Sequence, residues 1–306
     1  MKYTILRRFA SFMGRRSPET LRRLARFMAF VFWHCVPSRR KLAVEALQKH
    51  LHLSHDVAVR TARQSFEENF LSFLEIFHAD QFFIDSCVSE VITPEVRAQL
   101  EAEDAPIVVA TAHFGSWELM PGLAADTLPQ RPRIVVVRRQ EDPDVNRLMA
   151  EMRGARGLQV VDHRQASEIV LPKLRDTGVV AFLVDHNTSR KEAVFLPFLE
   201  DIAAVNMGPA MLALRAKAAV YPVFLARDDK GKRLLYIYPP LHTENLGGSI
   251  ADRVQTIAQF YTDAVADVIK KHPEQWFWMH KRWKTRPPVE GTTLKKKKKN
   301  KRDEIS

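Results

Sequence analysis

The sequence predicts an α/β fold, a mostly parallel central sheet flanked by helices, with a membrane-associated helix at the N-terminus. Three observations carry this. From residue 106 onward, short apolar runs alternate with amphipathic segments of helix length, the grammar of strand-helix-strand units. Near the start, an apolar helical stretch is bracketed by arginines. And the first apolar run of the alternating region ends abruptly in a histidine followed by turn residues. At 306 residues the chain has room for one large α/β domain.

Residues 1–41 form the first segment. They do not read as a secretion signal, because the apolar stretch starts late and no small-residue cleavage site closes it. Ser17 and Pro18 are an N-cap and first-turn pair, Glu19 complements the helix dipole, and Pro37 is a stop. A helix from about Pro18 to Cys35 follows. Its apolar portion, Leu24 to Val36, covers about 20 Å at the helical rise, short of the roughly 30 Å hydrocarbon core. Partial insertion is therefore expected rather than a full span. Arg7, Arg8, Arg15, Arg16, Arg22 and Arg23 before it, and Arg39, Arg40 and Lys41 after it, suit anionic headgroups. The plainer alternative is a packing helix with solvated basic ends.

Residues 42–290 form the body. Over 54–78, Ala62, Phe66, Phe70, Phe73 and Phe77 recur every three or four positions behind Ser54, which predicts a long amphipathic helix whose stripe is core or an apolar wall. His50, His52 and His55 lie close together without a supporting carboxylate or cysteine, so no metal site is assigned. Strands are predicted at "PIVVATA", "RIVVV", "LQVV", "GVVAFLV", "AVYPVFLA" and "LLYIYP". The last segment, 291–306, holds the block "KKKKKNKR" and is expected to be a disordered polybasic tail.

Lysine and arginine outnumber acidic residues 47 to 36, a formal charge of +11 that points to an acidic partner: nucleic acid, an anionic membrane, a phosphorylated substrate or an acidic carrier protein. Cys35 and Cys87 are the only cysteines, which implies neither a disulfide framework nor a zinc pattern.

The stretch "ATAHFGSWE" concentrates the chemistry. A buried strand from Pro106 to Ala112 delivers His113 at its carboxyl end, where open α/β sheets bind ligands. Gly115 permits a tight turn, and Ser116 is placed to cap a helix beginning at Trp117 and Glu118. Five residues is the wrong offset for one face of a helix, but a turn between them can bring Glu118 back to the imidazole, fixing its tautomer. Such a dyad suits deprotonation of a hydroxyl that attacks an activated acyl carbon. The plainer reading is a histidine that caps a turn.

"AHFGSWE" resembles the HX4D/E motif of glycerolipid acyltransferases, and its form with Phe114, Gly115 and Trp117 resembles the late acyltransferases of lipid A biosynthesis. "VVVRR" around Arg138, "VDHNTSRKEAVFLPF" from Val184 to Phe198 and "PEQWFWMHKRWKTRP" from Pro273 to Pro287 match in the same order, so the resemblance covers nearly the whole chain. It implies a glycerol-3-phosphate acyltransferase-like fold, with His113 as general base, Glu118 as its orienting partner and Arg138 as the active-site arginine, Arg139 being the rival. A guanidinium there can stabilise an oxyanion or hold a substrate phosphate. Asp185 closes another buried strand on the same edge, and Arg190 and Lys191 are placed to meet phosphates. Gly115, Trp117, Arg139, Asp185, Arg190 and Lys191 are thus the expected substrate-contacting residues. The chain departs from the family at His186, where glutamine is frequent, and at Ser116, where asparagine is common.

The resemblance further implies an enzyme of the bacterial inner membrane, on its cytosolic face. It would transfer an acyl group from acyl carrier protein or acyl-CoA to a hydroxyl of a lipid A precursor, with no metal or redox cofactor. Its partners would be the carrier protein, the anionic membrane and the phosphorylated glycolipid, not nucleic acid, although "WFWMHKRWKTRP" interleaves aromatic and basic residues in a way that also suits single strands. Alternatives are transfer to another phospholipid, glycolipid or aminolipid, and a membrane-peripheral lipid-binding protein without transfer activity.

Overall fold

The computed structural model describes residues 1–81, 88–90 and 94–288; the polybasic tail lies outside them. Four helices lead: α1 (Lys2–Gly14), α2 (Pro18–Cys35), α3 (Pro37–Leu51) and α4 (His55–Glu75). Helix α2 has the predicted bounds, and the Ser17 side chain accepts from the Thr20 N–H at 3.2 Å. It buries the stripe Leu21, Ala25, Ala29 and Trp33 on one face. Trp33 meets Phe66 of α4 edge-on at 5.2 Å, and Phe32 meets Phe70 at 5.5 Å. The other face leaves Phe27 and Phe30 about two-thirds exposed, at 65% and 64%, and α1 exposes Ile5, Phe9 and Phe12 beside them in sequence order. No helix among the described residues is long and apolar enough to cross a membrane.

Strand β1 (Val88–Glu90) and helix α5 (Pro94–Glu101) precede the alternating region: β2 (Ile107–Thr111), α6 (Met120–Thr127), β3 (Arg133–Val137), α7 (Pro143–Gly154), β4 (Gln159–Asp162), α8 (Ala166–Arg175) and β5 (Val179–Leu183). A hairpin of β6 (Ala193–Phe198) and β7 (Asp201–Asn206) follows. Then come α9 (Gly208–Ala216), β8 (Ala219–Arg227), β9 (Arg233–Ile237), β10 (Leu241–His242) and α10 (Ile250–Lys271). The main sheet runs β1-β9-β8-β2-β5-β3-β4, with β10 also pairing β8. Strands β8, β2, β5, β3 and β4 pair in parallel, whereas β9 and β10 run antiparallel to β8. The sheet is thus mixed but mostly parallel.

Both faces are covered, which is why the central strands read as unbroken apolar runs. All nine residues of β8 are buried. Val108, Ala110, Val180, Phe182 and Val220 face one core with α8, α9 and α10, while Ile107, Val179, Ala219 and Tyr221 face the other with Leu119, Leu123 and Leu128. Strand β2 sits at the switch: β5, β3 and β4 lie to one side of it, β8 and β9 to the other. The carboxyl end of β2 is therefore where an open sheet leaves a crevice.

Candidate functional site

Register makes the site. Thr111 of β2 stands opposite Leu183 of β5, and the Val184 N–H donates to the Thr111 carbonyl at 2.8 Å. Two residues further along each strand are His113 and Asp185, so the parallel pairing sets them side by side. Asp185 is buried and fully engaged. Its Oδ1 lies 2.9 Å from His113 Nδ1; its Oδ2 accepts from the His113 backbone N–H at 3.0 Å and from Trp276 Nε1 at 2.8 Å. The Phe277 N–H donates in turn to the His113 carbonyl at 3.2 Å. Ring and backbone of His113 are both fixed, and Nε2 makes no hydrogen bond among the described residues. The ring stays part-exposed, at 30%.

Burial disfavours the imidazolium, but the adjacent Asp185 carboxylate outweighs it, with Glu118 adding through space and Arg153 opposing; the His113 pKa is raised. The Asp185 carboxyl is held well below its ordinary range: burial works against it, and His113 and the Trp276 N–H prevail. The pKa values of two further histidines nearby are lowered by burial, that of His186 and, to about 4, that of His280.

The turn behind His113 is locked. Gly115 has φ of +56°, and a Cβ there would lie 2.1 Å from the Leu225 carbonyl oxygen. Its N–H donates to the Gln275 carbonyl at 3.1 Å, and the Ser116 N–H donates to Leu225 at 2.7 Å. The Gly115 carbonyl accepts from Ser72 and from Arg227 Nη2. Arg227, 3% exposed at the end of β8, also donates to Glu68 and Glu75 of α4. This buried cluster anchors α4 to the turn behind His113. Chain reversal continues through a 3-10 turn at Trp117–Leu119, for which the Ser116 side chain makes no capping hydrogen bond, contrary to expectation.

The expected contact between Glu118 and the imidazole is not made. The 3-10 turn directs the buried Glu118 carboxylate towards α7, where Arg153 donates to it through Nε at 2.9 Å and Nη2 at 2.5 Å. Asp185, expected as a structural or substrate-contacting residue, is the hydrogen-bonding partner of His113. Trp117 is buried with its ring 5.6 Å from that of His113; Phe277 lies 6.0 Å from it, and Phe73 meets both aromatics at 5.2 and 6.1 Å. Phe73 is 42% exposed, so an apolar wall from α4 reaches the mouth of the site.

Of the other expected residues, Arg138 and Arg139 are exposed after β3 and form no hydrogen bond or ion pair with His113 or Asp185; they line a neighbouring cavity. Arg190 donates through Nε to the Arg286 carbonyl at 3.0 Å in an exposed loop, and Lys191 is exposed beside it. Neither touches the imidazole. Arg153, Arg227, Gln275 and Trp276 were not singled out by sequence patterns for these contacts; an amphipathic helix or an aromatic run announces a buried face but not the partner it meets. His50, from the histidine cluster, stacks on Trp283 at 3.6 Å.

The family model described as bacterial lipid A biosynthesis acyltransferase matches residues 9–285. A lipid A biosynthesis lauroyltransferase of Escherichia coli K12 is 30% identical over 202 residues, 65% of this chain and 63% of that protein. The palmitoleoyltransferase of the same organism is 29% identical over 206 residues, 64% and 61% of the two chains. A phosphatidylinositol mannoside acyltransferase of Mycolicibacterium smegmatis is 26% identical over 184 residues, 58% and 56%. The aligned parts thus span roughly three-fifths of these curated relatives.

Proposed function

The chain belongs to the bacterial lipid A biosynthesis acyltransferase family, and from that premise we propose that it transfers a fatty acyl group from a thioester to a hydroxyl of a lipid A precursor or related glycolipid. The observation that carries the reading is the His113–Asp185 pair at the carboxyl end of β2, with Nε2 unengaged. His113 takes the acceptor's hydroxyl proton at Nε2 as the oxygen attacks the thioester carbonyl. The tetrahedral intermediate collapses with cleavage of the C–S bond, and the departing thiolate recovers the proton from the imidazolium. Asp185 holds the proton on Nδ1, so Nε2 is the basic nitrogen, and stabilises the imidazolium. Glu118, secured by Arg153, adds negative charge near the ring in support of the same state. No residue need form a covalent intermediate.

Acyl carrier protein is the proposed donor carrier, in keeping with the +11 charge. The apolar wall of Phe73, Trp117 and Phe277 is proposed to receive the acyl chain beside the imidazole. The exposed Phe27 and Phe30 of α2, with the flanking arginines, support attachment to the cytosolic face of an anionic membrane.

Mass spectrometry of acceptor lipids incubated with the detergent-purified protein and a panel of acyl carrier protein thioesters tests this reading. Acylated lipid A precursor is expected. Acylation of phospholipid or mannolipid alone would move the acceptor assignment, and consumption of no thioester with any acceptor would overturn the enzymatic reading.

A further inference from the structure

The stretch "PEQWFWMH" interleaves tryptophans that could face a membrane or a nucleic acid, yet the fold buries two of them. Trp276 and Trp278 are each 1% exposed and pack edge to face at 4.7 Å. After a 3-10 turn at Pro273–Gln275 the chain runs beside the turn behind His113, where Phe114 and Trp276 form a backbone bridge. The two indole N–H groups then part. Trp278 Nε1 donates to the Pro273 carbonyl at 2.7 Å, within its own segment, whereas Trp276 Nε1 crosses to Asp185 Oδ2 at 2.8 Å. The Trp276 backbone is held from α4, since its carbonyl accepts from Ser65 Oγ at 2.6 Å and from Asn69 Nδ2 at 3.1 Å.

We infer that Trp276 is a positioning residue whose indole N–H holds Asp185 so that a single carboxylate oxygen, Oδ1, serves the imidazole of His113. The inference rests on the proposed role of His113 as general base. With Oδ2 occupied by the indole and by the His113 backbone N–H, the carboxylate cannot turn, and Oδ1 stays on Nδ1. The two donors also draw charge away from Oδ1. The imidazolium is thereby stabilised for its part in the transfer, but less than a bare carboxylate would stabilise it, and Nε2 stays available to take a proton. Trp276 is too deeply buried to touch a substrate, so it acts only through Asp185. The other charged and titratable groups around the pair are Glu118 of the 3-10 turn, Arg153 of α7, His186 after β5, and His280 and Arg282 beyond Trp276. None of these hydrogen-bonds to Asp185; among the described residues, only the side chains of His113 and Trp276 do.

NMR titration of the full-length protein with isotope-labelled histidine, the His113 signal being identified by its loss in His113→Gln, reads the imidazole without an acyl-transfer assay. Trp276→Phe keeps an aromatic ring and removes the donor. It should raise the His113 pKa by about one unit and carry the rising limb of kcat/KM to higher pH with it, a loss of about tenfold in rate on the acid side. Trp278→Phe removes an equally buried indole N–H from the same segment and should leave the titration unmoved. A purely structural role would lower Tm in both variants and move neither titration. An unmoved or lowered His113 pKa in folded Trp276→Phe, or equal shifts in the two variants, would therefore overturn the inference. Should Trp276→Phe fail to fold, Ser65→Ala, which removes one bond from the Trp276 carbonyl, should shift the pKa in the same direction by less, and no shift there is equally fatal. If the wild type transfers no acyl group, the titration still decides the Trp276 contact and only the acyl-transfer reading falls; transfer with an unmoved titration sinks this inference alone.

Discussion

His113 experiences two opposed influences, burial and a carboxylate at 2.9 Å, and the carboxylate prevails. A base must be neutral to act, so the rising limb of kcat/KM against pH is expected above the ordinary histidine value of about 6.5. Asp185→Asn removes the charge but keeps the shape. It should lower kcat by about 10²- to 10⁴-fold, the range of positioned acid-base catalysis, and move the limb to lower pH. The same pair has a stability signature. Because the folded pKa is raised, its contribution is complete below about 6.5 and fades as pH rises through the folded value. The Tm difference between wild type and His113→Ala should therefore shrink as pH rises; a difference growing on the alkaline side would contradict the pairing. The HX4E spacing points to Glu118 as the partner, but spacing reports only sequence distance. Which carboxylate meets Nδ1 was decided by the register of β2 on β5, and that pairing is invisible until the strands are placed.

At the level of elements, Gly115 joins a strand to a turn at a point where only glycine fits. Gly115→Ala should destabilise the fold by at least the 1–2 kcal/mol (roughly) of a left-handed non-glycine residue, and by more because its methyl meets the Leu225 carbonyl. Thermal denaturation checks this, and an unchanged Tm would show that the turn tolerates a side chain at this position. The six predicted strands and helix α2 were legible because apolar runs, Ser-Pro starts and proline stops are local signals. The β6–β7 hairpin was not. Its two-residue turn is Leu199-Glu200, with φ of +46° and +62°, conformations that normally call for asparagine or glycine. The buried Arg227–Glu68–Glu75 cluster escaped for a related reason: it unites α4 with β8 across more than a hundred residues, and charged residues in a helix usually signal a solvated face.

For the whole molecule, the sheet supplies a rigid edge, helices α1 and α2 an exposed apolar and arginine-rich face, and the two meet through α4, which carries Phe66 in the core and Phe73 at the mouth of the site. In the proposed function, an acyl chain would follow that continuity from a lipid surface to His113. The protein should cosediment with anionic vesicles, and Phe27→Ser with Phe30→Ser should weaken that binding by about tenfold per ring, given roughly 1.5–3 kcal/mol for burying each. Equal binding by the double variant would place the membrane contact elsewhere. The most direct test of the account is acyl transfer from an acyl carrier protein thioester to a lipid A precursor, followed by mass spectrometry for wild type, His113→Ala and Asp185→Asn. Product is expected from wild type, none above background from His113→Ala and a strongly reduced yield from Asp185→Asn. Undiminished product from His113→Ala would contradict it.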